Sequence, residues 1–145
     1  MIAEAALEDI PALCRLLEIL FLQEADFHPD PAKQAEGLRQ IIGRPDAGTI
    51  LVYREPEIAG MVNLLYTVST ACGGKVAMLD DMIVSPEKRG RRIGSMLLDA
   101  AVSKAKSAGC LRITLLTERG NLDAMRFYKR HGFISSNMIP LRILP

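Results

Sequence analysis

Residues 79–101, LDDMIVSPEKRGRRIGSMLLDAA, run from an apolar strand through a basic, glycine-containing loop into a helix. In the helical part Ile93, Met96, Leu97, Ala100 and Ala101 recur at i, i+3, i+4, i+7 and i+8, a stripe that can face a core. Ahead of the loop, Val76, Met78, Met82 and Val84 fall on one face of an alternating strand. The loop itself, Ser85–Arg92, carries Lys88, Arg89, Arg91 and Arg92, with Gly90 inside and Gly94 just beyond. N–H groups that open a helix lack intrahelical partners and, with the macrodipole and nearby cations, suit a phosphate group. A solvated basic turn would also account for the charges. The order strand, loop, helix favours an anion cradle.

A second segment, Asn121–Phe133, reads NLDAMRFYKRHGF. Asn121 suits an N-cap, Asp123 sits in the first turn where the dipole favours it, and Gly132 suits the C′ position. Such a helix sets Ala124, Phe127, Tyr128 and His131 on adjoining faces, which taken alone reads as core packing. Together the two segments resemble the GNAT superfamily of acyl-CoA-dependent N-acetyltransferases. Its pyrophosphate loop, Arg/Gln-x-x-Gly-x-Gly/Ala, corresponds to Arg89-Gly90-Arg91-Arg92-Ile93-Gly94, and Arg92 departs from the usual glycine. Its later Asn-x-x-Ala-x-x-Phe-Tyr-x-x-x-Gly-Phe is matched by Asn121, Ala124, Phe127, Tyr128, Gly132 and Phe133.

Length and charge agree with this resemblance. The 145 residues suit one N-acetyltransferase domain over 1–145, and a net charge of +1 argues against bulk attraction to nucleic acid or membrane. Acid concentrates in the N-terminal third (Glu4, Glu8, Asp9, Glu18, Glu24, Asp26, Asp30), and base in Lys88–Arg92 and Arg126–Arg130. That asymmetry suits an anionic cofactor at one side and a cationic substrate at the other. Cys14, Cys72 and Cys110 have neither metal nor redox spacing and read as small core residues, Cys110 opening a strand. With no secretory signal and no apolar run of membrane-spanning length, a reduced, cytoplasmic setting is expected.

Local patterns predict a short first strand at Ile2–Ala5 and a helix from about Asp9 with Pro11 in its first turn. A second helix follows at about Lys33–Ile42, then strands at Thr49–Arg54, Ile58–Ser69 and Val76–Val84. Next come a helix over Arg92–Ser107, a strand at Leu111–Leu116, the Asn121–His131 helix, and closing strands at Phe133–Ser136 and Met138–Leu144. The resemblance implies an α/β (α+β) fold: a mixed, mostly antiparallel sheet of six to seven strands flanked by about four helices. That sheet splays between Val76–Val84 and Leu111–Leu116 to admit acetyl-CoA.

The resemblance also implies roles. Arg89, Gly90, Arg91, Arg92, Ile93, Gly94 and Ser95 hold the pyrophosphate, and the backbone of Met82, Ile83 and Val84 pairs with pantetheine like an added strand. Arg92 is expected at negative φ with its side chain leaving the cradle. Asn121 either bonds the pantetheine arm or simply caps its helix. Tyr128, beside the cofactor sulfur, is the expected acid for the leaving thiolate, or else orients the thioester. Asp80 and Asp81 are candidate bases. Strand alternation admits one of them to the cleft, and the family pattern puts Asp80 where a glutamate can serve. Asp81 would then bind a cationic substrate or cap a loop, and two surface carboxylates remain a third reading. Glu24, Asp26, Phe27, His28 and Asp30 lie where relatives build the acceptor wall, though an ordinary turn fits them equally. His28 follows Glu24 by four, but no third ligand is evident and no metal is expected.

The expected activity is direct transfer of acetyl from acetyl-CoA to a primary amine of a small cationic molecule. No Cys or Ser is placed for an acyl-enzyme. A protein lysine or N-terminal acetyltransferase and a non-catalytic acyl-CoA-binding or regulatory module are the alternatives, and a homodimer is the default assembly.

Overall fold

A computed structural model describes residues 1–24 and 28–145. The described elements are β1 (Ile2–Glu4), α1 (Ile10–Gln23), α2 (Pro31–Ile42), β2 (Gly48–Arg54), β3 (Ile58–Ser69), β4 (Gly74–Val84), α3 (Ile93–Ser107), β5 (Ile113–Leu115) and α4 (Leu122–Arg130). The strands form one sheet in the order β1-β2-β3-β4-β5, antiparallel except for the parallel pair β4–β5.

Strand alternation sorts side chains between two apolar layers. Leu51, Val62, Leu64, Ala77 and Leu79 face Ile93, Leu97, Leu98, Ala101 and Ala105 of α3. Ile50, Val52, Met61 and Ile83 face Leu13, Leu16 and Leu17 of α1 and Leu38 of α2. The stripe of α3 is rotated from the predicted one, because Leu98 is buried where Met96 is exposed. The start of α1 is anchored by Asp9, whose Oδ2 accepts from the Ala6 N–H at 2.7 Å and from Arg54 Nη2 at 2.6 Å. Burial alone would raise the Asp9 pKa, but the guanidinium and the N–H hold it below the ordinary value. Asp30 caps α2 by accepting from the Lys33 N–H at 3.3 Å, and Pro31 takes the first helical position, so the helix begins before Lys33.

Two features of the sheet open the site. β4 pairs with β5 only at Ala77–Leu79, opposite Ile113–Leu115, so the two strands part beyond Leu79. The β3–β4 register also shifts between Met61↔Ile83 and Asn63↔Asp80, leaving Asp81 and Met82 together opposite Val62. That is a β-bulge.

The structure departs from several expectations. Among the described residues the sheet has five strands, not six to seven. Neither Phe133–Ser136 nor Met138–Leu144 is a strand, and Ile134 and Leu141 are each 90% exposed. Their β-forming side chains have no paired partner, and a strand without one is not stable. Pro140 also lacks the N–H that a ladder requires. The bulge breaks the single face proposed for Val76, Met78, Met82 and Val84: Ala77, Leu79, Met82 and Val84 share the α3 side. Cys110 precedes β5 and opens no strand. No helix among the described residues is long and apolar enough to cross a membrane.

Candidate active site

The bulge places the acids. Asp81 takes a left-handed conformation, φ 48°, which aspartate tolerates better than most residues. Its Oδ2 accepts from Asn63 Nδ2 on β3 at 2.9 Å. Strict alternation would have sent Asp80 and Asp81 to opposite faces. With the bulge between the two halves of β4, both line one cleft, Asp80 exposed and Asp81 half-buried. Burial, then the charges of Asp80 and Glu24, push the Asp81 pKa up to about 7, against the lowering effect of the Asn63 bond.

The basic loop turns at Gly90, φ 79°, and again at Arg92, φ 63° and ψ 13°. Arg92 therefore holds the left-handed conformation for which glycine is suited, contrary to the expected negative φ. Its carbonyl accepts the first turn's bond from the Met96 N–H at 3.0 Å, while Ile93, Gly94 and Ser95 open α3 along the cleft. Arg89 folds back, donating from Nε to the Val84 carbonyl at 3.1 Å, and so joins the loop to the end of β4. A Cβ at Gly94 would stand 3.6 Å from Phe127 and 3.8 Å from Met82 and Val84, marking where α3, α4 and β4 converge.

The termini of α4 fix Tyr128. Asn121 Oδ1 caps the helix by accepting from the Ala124 N–H at 3.1 Å. At the other end Gly132, φ 95°, donates to the Lys129 carbonyl, and the Phe133 N–H reaches the Tyr128 carbonyl, each at 3.1 Å. This is a Schellman closure. Its usual apolar contact is made by the rings of Tyr128 and Phe133, 5.8 Å apart and edge-on. The spacing Tyr128-x-x-x-Gly132-Phe133 thus locks the ring on the helix. Burial, and the charge of Glu24, raise the phenol above its usual pKa, so it keeps its proton at neutral pH.

These pieces enclose a cleft of about 680 Å³, within the range of small-molecule sites. Of the expected cofactor residues, Met82, Ile83, Val84, Arg89, Gly90, Arg92, Ile93, Gly94, Ser95, Asn121 and Tyr128 line it. Arg91 does not; its Nη1 lies 3.8 Å from Glu55 Oε2. Glu24 lines the cleft, whereas His28 is exposed and not among its lining residues. Asp26 and Phe27 lie outside the described residues. Sequence reading missed Gln23, Glu118 and Arg130 of the lining, and Asn63 behind it. For Asn63 a signal existed, a lone amide within the apolar run AGMVNLLY.

The fold and cleft are those of an acyl-CoA-dependent transferase. Residues 11–133 match the acetyltransferase (GNAT) family, and the chain belongs to that family of acetyl-CoA-dependent N-acetyltransferases. The aminoalkylphosphonate N-acetyltransferase of Salmonella typhimurium is 29% identical over 133 residues, spanning 92% of this chain and 84% of that protein. Thialysine N-epsilon-acetyltransferase of Sus scrofa is 32% identical over 80 residues, spanning 54% of this chain and 47% of that one. An integron cassette protein from the mobile metagenome of Cole Harbour Salt Marsh superposes with a TM-score of 0.85 at 26% identity, covering 99% of this chain and 89% of that one.

Two outcomes test this geometry. A left-handed residue other than glycine costs roughly 1–2 kcal/mol, offset in glycine by roughly 0.5–1 kcal/mol of extra chain entropy. Arg92→Gly should therefore leave stability within about 1 kcal/mol of the parent, whereas β-branched Arg92→Val should lose at least ~1 kcal/mol. Thermal unfolding of the pair reads the difference, and equal losses would contradict the left-handed assignment. For Asp81, the folded pKa lies above the unfolded one, so stability present below about pH 4 is lost as pH rises toward 7. Asp81→Asn should gain about 2–4 kcal/mol over the parent at pH 8 and little at pH 4, measured by urea unfolding. A difference independent of pH would show that Asp81 ionises normally.

Proposed function

We propose that the protein transfers acetyl from acetyl-CoA directly to the primary amine of a small cationic molecule, with Asp81 as proton acceptor and Tyr128 as proton donor. The observation that carries this reading is the polarity of the cleft. Lys88, Arg89 and Arg92 stand at or just before the start of α3 and Glu24, Asp80 and Asp81 line the same space, alongside Glu118, Asp123 and Arg130. The names of the Salmonella and pig relatives, which act on aminoalkylphosphonate and thialysine, agree with an amine acceptor.

The residues present fit acetyl-CoA. β4 beyond Leu79 has no β5 partner, leaving the Met82–Val84 edge for an extended arm, and Ile93–Ser95 offer helix-start amides to a pyrophosphate. Bound there, acetyl-CoA supplies the acetyl group as a thioester.

The chain's own groups handle the protons. An alkylammonium has a pKa of about 10.4, so passing its proton to an ordinary carboxylate costs about 9 kcal/mol. With Asp81 at about 7 the cost falls to about 5 kcal/mol. That difference favours Asp81 over a solvated carboxylate as base. Asp80 and Glu24 then hold the cationic remainder of the acceptor. Tyr128, still protonated, gives its hydroxyl proton to the departing thiolate, whose conjugate acid has a pKa near 8.5.

Thiol release measured against polyamines, amino acids, amino sugars, aminoalkylphosphonates and lysine peptides, with mass detection of product, tests the substrate class. A small cationic amine should be the best acceptor, and exclusive use of anionic aminoalkylphosphonates or of peptides would overturn that class. Tyr128→Phe keeps the ring packing and should lower kcat at least about tenfold with CoA affinity little changed, whereas an unchanged kcat removes Tyr128 from proton transfer.

A further inference from the structure

Asn63 is the most unusual polar residue of the core. It sits mid-strand on β3 between Val62 and Leu64, is 1% exposed, and lies opposite Asp80 where the β4 bulge begins. Its Nδ2 donates to Asp81 Oδ2, yet its Oδ1 has no hydrogen-bond partner, the only such buried side-chain atom among the described residues. An orphaned buried carbonyl costs roughly 1–3 kcal/mol, so an apolar residue here would be the more stable choice on that ground. The amide needs another reason.

That reason lies in what its neighbour does. The charges that act on Asp81 are Asp80 on the same strand and Glu24 after α1, and from β3 comes the neutral Asn63; Tyr128 of α4, Lys88, Arg89, Arg92, Glu118, Asp123 and Arg130 line the same cleft. An ionised Asp81 needs a donor. Once it has taken a proton it becomes a donor itself and needs an acceptor. A primary amide offers both, and a half-turn about χ2 exchanges N for O with almost no change in volume.

We propose that Asn63 is a positioning residue that serves both protonation states of Asp81: Nδ2 donates to the carboxylate, and Oδ1, presented by rotation of the amide, accepts from the carboxylic acid. The proton moves from the substrate ammonium to an Asp81 oxygen; the N–H···O bond to the carboxylate breaks and an O–H···O bond to Asn63 forms. The unpartnered Oδ1 is the acceptor held for that second state. The inference rests on the reading of Asp81 as base.

Asn63→Leu fills similar space and can neither donate nor accept. A hydrogen bond to the charged form is the stronger of the two lost, so the carboxylate is disfavoured more than the acid. The acid limb of the kcat/KM profile should move to higher pH by about one unit or more, with rate recovered above it and CoA affinity retained. A loss equal at every pH, or an unmoved limb, would mean that Asn63 is only structural and overturns the proposal. In the unaltered protein the Asn63 side-chain NH2 resonances should shift with pH at the Asp81 carboxyl midpoint; resonances constant through that midpoint overturn the proposal even where the variant fails to fold. Asp81→Asn separates the two readings. If it stays active, Asp81 is not the base and both fall; if it is inactive while Asn63→Leu keeps the parental limb, the role of Asn63 alone falls.

Discussion

One extra residue in β4 governs the chemistry of this cleft. With Asp81 and Met82 together opposite Val62, strict alternation is interrupted, and both Asp80 and Asp81 line the cleft. The left-handed Asp81 is held by Asn63 from the neighbouring strand, so the bulge and the hydrogen bond stabilise each other. Burial of that carboxyl opposes stability at neutral pH, and the same burial brings its pKa to about 7. In the proposed mechanism, stability lost at this position is what would make the carboxyl a usable base.

The rest of the fold brings other groups to the same place. Parallel pairing of β4 with β5 stops at Leu79, so β4 beyond it has no β5 partner. The start of α3 is drawn to that opening by Arg89 on the Val84 carbonyl, and α4 is set across it by its two end closures. Charges of both signs thus line one cleft, with the half-buried Tyr128 set against Phe133 on one side and lining the cleft on the other.

What could be read from sequence followed the range of the interactions. The α3 loop and α4 were legible because helix starts, caps and the Gly132-Phe133 closure are decided within a few residues, and two such local signals in order identify the family. Strand alternation fails at Asp81 because a bulge is a property of register between β3 and β4, invisible to periodicity within β4 alone. Arg92 is a related case: a side chain other than glycine suggests negative φ, yet the residue adopts the left-handed geometry that suits glycine. The segments after Phe133 have strand-like composition, but a strand exists only with a partner, and sequence composition names none. Asn63 stood in plain view, and only the position of Asp81 gave it meaning.

In the proposed function acetyl-CoA lies between the edge of β4 that lacks a β5 partner and the start of α3. Amide hydrogen exchange with and without CoA tests it most directly. Slower exchange on CoA addition should appear at Met82–Val84 and Ile93–Ser95, while the paired centre of β3 changes little. CoA binding with unchanged exchange in both segments, or no CoA binding by the folded protein, would contradict the account.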